Sequence, residues 1–205
     1  MKKQVIILIA ASVLLWKCTD HVQLPVYQLD ATKSVAEWKG YLKTGYFNEG
    51  SIAVQSESIT VSEGKIIAGT FSLPLSSILN FNLPTPEIKQ ELVHHLQSAD
   101  FFDMALYPDL KFEINSVTAY SGQGDGIVEG ANFRVNGMLT MLGKTNFIAF
   151  PAKIVFNGDA FSVEGKVKVD RTKWGIVYGT DQSKPAEAII EPFIDIHLKL
   201  AGNKK

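Results

Sequence analysis

One cysteine, Cys18, is the whole thiol content of 205 residues, so no disulfide can form within the chain. Charge of one sign is also missing: 20 Lys and Arg stand against 21 Asp and Glu, for a formal charge of −1. Without a basic cluster to displace counterions, the phosphate-driven part of nucleic-acid affinity is lost, and no nucleic-acid partner is expected. The apolar run Val5 to Trp16 falls short of the roughly 20 residues that a membrane-spanning helix needs. There is no G-x-S-x-G elbow, and Gly122, Gly124 and Gly126 lack the G-x-G-x-x-G spacing of a dinucleotide site. His94 and His95 are adjacent, so on a helix they diverge instead of chelating as an i, i+4 pair would. Asp100, Asp103 and Asp109 are interleaved with Phe101, Phe102 and Leu106, which do not suit a hard-ion loop. No catalytic residue, metal or cofactor is therefore expected.

What is present begins with an export pattern. Lys2 and Lys3 precede the short apolar run, and residues 1–17 read as a signal segment. Cys18 follows at once, a placement that resembles the acylated cysteine of bacterial lipoproteins. Trp16 and Lys17 depart from the small residues usual before such a cysteine; an ordinary secreted protein or an uncleaved anchor are the other readings. Residues 18–25 then form a tether, and the expected location is the bacterial envelope, periplasm or outer membrane, with the lipid anchor as membrane contact.

From Val26 onward the pattern is mostly β. Strands are expected at Ala36 to Lys43, Gly50 to Val61, Lys65 to Leu75, Leu110 to Ala119, Ile127 to Leu142, Lys144 to Asn157, Ala160 to Asp170 and Pro192 to Ala201. Short joints at Ser62-Glu63-Gly64, Gly122-Gln123-Gly124-Asp125-Gly126, Leu142-Gly143-Lys144 and Asn157-Gly158-Asp159 favour antiparallel neighbours, because parallel crossovers need far longer connections. One amphipathic helix is expected where Thr85 caps, Pro86 takes the first position, Glu87 meets the positive end, and Ile88, Leu92 and Leu96 recur at four-residue spacing. Phe81 and Leu83, just before it, are expected to pack under that helix or, if exposed, to guard an entrance. Arg171 to Glu191 is a long connection with room for a second short helix.

Eight antiparallel strands make a barrel whose interior either packs shut or encloses one small ligand. Alternation assigns sides. Ile67, Gly69, Phe71 and Leu73 oppose Ala68, Thr70 and Ser72; Phe161, Val163, Gly165, Val167 and Val169 oppose Ser162, Glu164, Lys166, Lys168 and Asp170; Ile194, Ile196, Leu198 and Leu200 oppose Asp195, His197 and Lys199. The inward candidates are Phe71, Phe112, Ile114, Phe133, Val135, Leu139, Phe161, Val163, Val167, Ile194 and Ile196. They suit an aliphatic guest, and a closed core uses the same residue types. These residues alone leave pocket and core both open.

Three stretches carry a resemblance: SADFFDMALYPDLKFEINSV at Ser98 to Val117, VNGMLTMLGKT at Val135 to Thr145, and DRTKWGI at Asp170 to Ile176. Their order and content resemble the YceI-like family of lipid-binding barrels over Val26 to Ala201, with 202–205 left as a tail. The resemblance implies an eight-stranded antiparallel lipocalin-like barrel that binds, stores or transports a polyisoprenoid, isoprenoid quinone or fatty lipid without catalysis, and it makes the inward candidates ligand-binding residues. Arg171, in the long connection, is the candidate to meet a headgroup, with stabilising the loop through a carboxylate as the commoner role of such an arginine. A homodimer is compatible with this reading. The family often carries histidine near the end of the first long strand, where this chain has Tyr41-Leu42-Lys43-Thr44-Gly45. Two rival readings remain, an enzyme acting on an apolar substrate in the same barrel and an integral outer-membrane barrel with the strand faces inverted.

Overall fold

The computed structural model describes residues 24–205 apart from 57. Residues 1–17, expected as an export signal, and Cys18 lie outside the described residues. Eleven strands and one α-helix follow in the order β1 (Val26–Leu29), β2 (Val35–Leu42), β3 (Phe47–Ala53), β4 (Ile59–Ser62), β5 (Lys65–Pro74), β6 (Leu79–Asn80), α1 (Pro86–Gln97), β7 (Asp109–Ala119), β8 (Phe133–Met141), β9 (Lys144–Asn157), β10 (Ala160–Asp170) and β11 (Ile190–Lys204). Three short 3-10 turns complete the set, at Leu75–Ser77, Arg171–Trp174 and Ala186–Ala188. The last two occupy the connection in which a second short helix was expected.

The strands close on themselves. β11 is long enough to pair with β2 along its first part, as Lys199 with Val35, and with β1 at its end, as Lys204 with Tyr27. β1 and β2 thus lie end to end as one stave. β3 and β4 make a second stave, joined to β5 below by the β4–β5 ladder and midway by the Gln55–Ser72 bridge. With β5, β7, β8, β9, β10 and β11 the wall has eight antiparallel staves, and no sheet edge is left along β1–β11. Residues 202–204, expected as a tail, are the part of β11 that seals the barrel.

Local chemistry accounts for most of this. In β10 the apolar set faces in and the charged set faces out, as its alternation requires: Phe161, Val163, Gly165 and Val169 are buried while Ser162, Glu164, Lys166 and Lys168 are exposed. The β4–β5 and β8–β9 joints are two-residue turns with both positions left-handed, Glu63 and Gly64 at φ 49° and 71°, Leu142 and Gly143 at 47° and 67°. Such turns match the right-handed twist of the flanking strands. Helix α1 starts where Thr85 accepts from the Ile88 N–H at 3.4 Å, with Pro86 first.

Several expectations need correction. Ile67 is exposed and Ile66 buried, because Thr60 pairs with Ala68 and Val61 with Ile66, leaving Ile67 as an extra residue that flips the facing of everything before it. A second bulge at Asn115, between Ile114 and Ser116, lets both Ile114 and Val117 face inward. The strand expected from Ile127 starts only at Phe133, after turns that bury Val128. Phe81 is 51% exposed and does not pack under α1, whose buried contact is Val93.

Glycine decides how full the interior is. A Cβ at Gly137 would lie 2.3 Å from the Phe112 ring, at Gly202 2.3 Å from Phe161, at Gly165 3.1 Å from Phe150 and at Gly69 3.1 Å from Phe71. Each ring lies against a wall position that has no side chain. The Phe71, Phe112 and Phe150 rings are thereby held at the wall instead of across the lumen, while Phe161 lies at one end.

Candidate functional site

The lumen that this leaves is one apolar cavity of about 250 Å³, running inside the barrel from Val163 and Leu200 near one end to Arg171 and Glu191 near the other. Its floor is aromatic: Tyr27, Phe156 and Phe161 meet in edge-on and tilted contacts with centroids 5.8–5.9 Å apart. At the other end the cover comes from outside the sheet, through Leu92 and Leu96 of α1, Phe101 and Phe102 after it, and Ile176 in the connection before β11. Phe101-Phe102 belongs to the Ser98 to Val117 stretch singled out in the sequence. Its position follows from the end of α1, where the Phe102 N–H donates to the Leu96 carbonyl at 3.1 Å and the Asp103 N–H to that of Ser98 at 2.8 Å.

Ten of the expected site residues line this space: Phe71, Phe112, Ile114, Val135 and Leu139, with Val163, Val167, Arg171, Ile194 and Ile196 from the last two strands. Phe161 and Phe133 do not. Phe161 belongs to the floor, and Phe133 packs in the core beyond Val135, the last cavity-lining position on β8. Alternation gives the inward face of a strand but not the level at which the lumen closes, so both lie outside the lining. Trp38 and Asn48, on the inward faces of β2 and β3, also line the cavity although nothing in their local pattern marks them, and Leu92 and Leu96 of the amphipathic helix join them. The mixed polarity of β2 hid an alternation of Ala36, Trp38 and Gly40 toward the cavity.

Arg171 is the buried charge at the covered end, 1% exposed. Its guanidinium donates from Nη1 to the Ile176 carbonyl at 2.7 Å, from Nη2 to that of Ile190 at 3.0 Å and from Nε to that of Glu191 at 3.3 Å. The Phe101 ring lies 5.9 Å away on the cation. Burial lowers the Arg171 pKa, opposed by the nearby Asp170 charge. Asp170 is itself held by the Thr172 N–H at 3.1 Å and the Thr172 hydroxyl at 2.6 Å. Arg171 thus pins both ends of the connection through carbonyls, with most of its donors already taken. Beside it Trp174 is 1% exposed and donates from Nε1 to the Leu139 carbonyl at 2.9 Å. Lys173 and Tyr178 stay outside the cavity lining, and the Tyr178 ring stacks edge-on to His95 of α1 at 4.8 Å.

The outer surface is polar where the inner is apolar. Lys168 pairs with Asp195 at 3.4 Å, Lys199 with Glu37 at 2.7 Å, and His197 sits 2.9 Å from Glu164. Tyr41 turns its hydroxyl to this side, donating to Asp195 at 2.9 Å. The inverted arrangement, with a polar lumen and an apolar exterior, is not the one that these strands adopt.

A closed antiparallel barrel with an apolar lumen, covered by one helix and one loop, defines a lipocalin-like binding barrel. The chain belongs to the YceI-like family: the YceI-like domain matches residues 27–201. Among curated relatives, the YceI proteins of Escherichia coli O157:H7 and Shigella sonnei are 29% identical over 116 residues. Those alignments take in 49% of this chain and 56% of the relatives, so the chain spans about half the length of the proteins it matches. Among solved structures, a polyisoprenoid binding domain from Saccharophagus degradans matches 89% of this chain and 100% of its own with TM-score 0.65 at 14% identity. Burkholderia cenocepacia BcnA matches 84% and 98% with TM-score 0.63 at 18% identity. The Campylobacter jejuni YCEI protein matches 74% and 81% with TM-score 0.54 at 16% identity. At these identities the likeness is one of fold.

Proposed function

We propose that this protein binds a long apolar lipid, a polyisoprenoid, isoprenoid quinone or fatty chain, in the barrel lumen and carries or stores it without chemical change. The observation that carries the reading is a lumen lined almost wholly by aliphatic and aromatic side chains and covered by elements outside the sheet. From Val163 to Arg171 on β10 the lining spans eight residue steps, roughly 20 Å along the axis of a tilted barrel, which fits about 16 extended methylenes. At about 0.8 kcal/mol for each methylene removed from water, such a chain gains roughly 13 kcal/mol before the association and ordering terms are subtracted. A longer isoprenoid enters folded or in part. The polyisoprenoid named for the Saccharophagus degradans domain supports the same ligand class here.

The test is purification without detergent, followed by native mass spectrometry and organic extraction. A bound or loadable long-chain lipid is the expected result, and repeated failure to recover or load any removes the carrier reading. Acylation at Cys18 and a place in the bacterial envelope belong to the same proposal. Cys18→Ala is expected to release the protein from membranes; unchanged retention, with no acyl label in the parent, argues against an anchor.

A further inference from the structure

The lumen ends at one level of the wall. On β9, β10 and β11 its last lining row is Ile154, Val163 and Leu200, paired across the ladders, and the next inward row is Phe156, Phe161 and Gly202, none of which lines it. The strands themselves run on past this level, to Asn157, Ala160 and Lys204, so side chains and not the sheet end the space. Phe161 is at the centre of that stop. It is 4% exposed, and its ring meets Tyr27 edge-on at 5.8 Å and Phe156 at 5.9 Å. A Cβ at Gly202 would lie 2.3 Å from the Phe161 ring and 2.4 Å from the Gln28 carbonyl, so the ring is wedged over a residue with no side chain, with the β1 backbone behind it. Leu29 and Ile59, both buried, close the same end from β1 and β4.

We propose that Phe161 is the chain-length stop of this cavity. It sets the longest tail taken in fully extended, about 16 carbons at the depth of the lining, and carbons beyond that length stay outside the lumen. The inference rests on the lipid-binding reading above and adds a length to it. A tail that enters from the covered end meets the rings last, and each methylene up to that point leaves water while each later one does not. One row on β10 is two residues, roughly 5 Å along the axis or about four methylenes, so a ring gained or lost in either row moves the stop by that amount. Phe161→Ala removes the ring and leaves an apolar space of the kind that stays dry and admits apolar guests. Val163→Phe sets a ring one row nearer the cover.

The experiment measures displacement of a fluorescent apolar probe from the full chain by straight-chain alkan-1-ols of increasing length, decanol to docosanol, in the parent, Phe161→Ala and Val163→Phe. In the parent the expected affinity rises about fourfold with each added methylene and levels off at about 16 carbons. The levelling point moves about four carbons later in Phe161→Ala and about four earlier in Val163→Phe. The same levelling point in the parent and the folded variants overturns the stop and leaves the carrier reading standing. Affinity that climbs without a break to docosanol in the parent does the same. No displacement by any alkanol from a folded parent overturns both readings. Should Phe161→Ala not fold, Val163→Phe carries the comparison, and an unmoved levelling point in it overturns the stop.

Discussion

Gly40→Phe separates the lumen as a binding space from the lumen as a packing defect. Gly40 lies in β2 with its face to the cavity, and a Cβ there meets nothing within 4 Å, unlike Gly137, where the same atom strikes the Phe112 ring and the Glu113 carbonyl at 2.3 and 2.4 Å. A phenyl ring at position 40 therefore enters the lumen without moving the wall. It occupies about the length of four methylenes of a guest, and at about 0.8 kcal/mol each the guest loses roughly 3 kcal/mol, a weakening of about 200-fold. Stability moves the other way. Replacing a strand glycine removes about 0.5–1 kcal/mol of backbone entropy cost, and the ring buries apolar area where there was space. The assay pairs lipid displacement with thermal unfolding of the same ligand-free sample, in which Tm rises by a few degrees while affinity collapses. Unchanged lipid affinity in a folded Gly40→Phe protein would refute the assignment of this lumen as the lipid site.

Arg171→Lys tests the pin on the connection. A single ammonium cannot reproduce donation to Ile176, Ile190 and Glu191, so the expected loss is about 2–4 kcal/mol in denaturant unfolding, and a wild-type midpoint refutes the role. Gly137→Ala forces its Cβ onto the Glu113 carbonyl beside the Asn115 bulge, with an expected destabilisation of about 3 kcal/mol by the same measurement. At the corner between β1 and β2, Asp30 bonds to Lys33 at 2.9 Å and to the Thr32 hydroxyl at 2.6 Å, and these bonds, Lys33 first, hold its pKa down at about 2. Because the folded value lies below the unfolded one, the contribution is present above the usual carboxylate range and lost as pH falls through about 2. Carboxyl NMR titration checks the value, and an Asp30 midpoint near 4 contradicts the bonding.

Each strand and helix that the sequence specified locally is where its own residues put it. β9 and β10 run over Lys144–Asn157 and Ala160–Asp170 because turn residues bracket uninterrupted alternation, and α1 begins at Pro86 because cap, proline and first-turn acid coincide. Those signals act over a few residues and need no partner. Alternation failed where a bulge inserts one residue, at Ile67 and Asn115, since what fixes a bulge is the register of the neighbouring strand.

Whether the barrel is hollow was beyond the sequence for the same reason. The inward residue types of a filled and an open lumen are alike, and the answer lies in pairs far apart in the chain. Gly202 accommodates Phe161, Gly137 accommodates Phe112, and Tyr27 joins Phe156 and Phe161 in the floor only because β11 closes on β1. Arg171 likewise reads in one dimension either as a headgroup cation or as a loop-stabilising arginine, and becomes the clasp of a loop once Ile176, Ile190 and Glu191 turn their carbonyls to it. Composition and period determined a mostly β barrel with one capped helix. Long-range register decided which rings lie flat on the wall, and so where space remains for a guest.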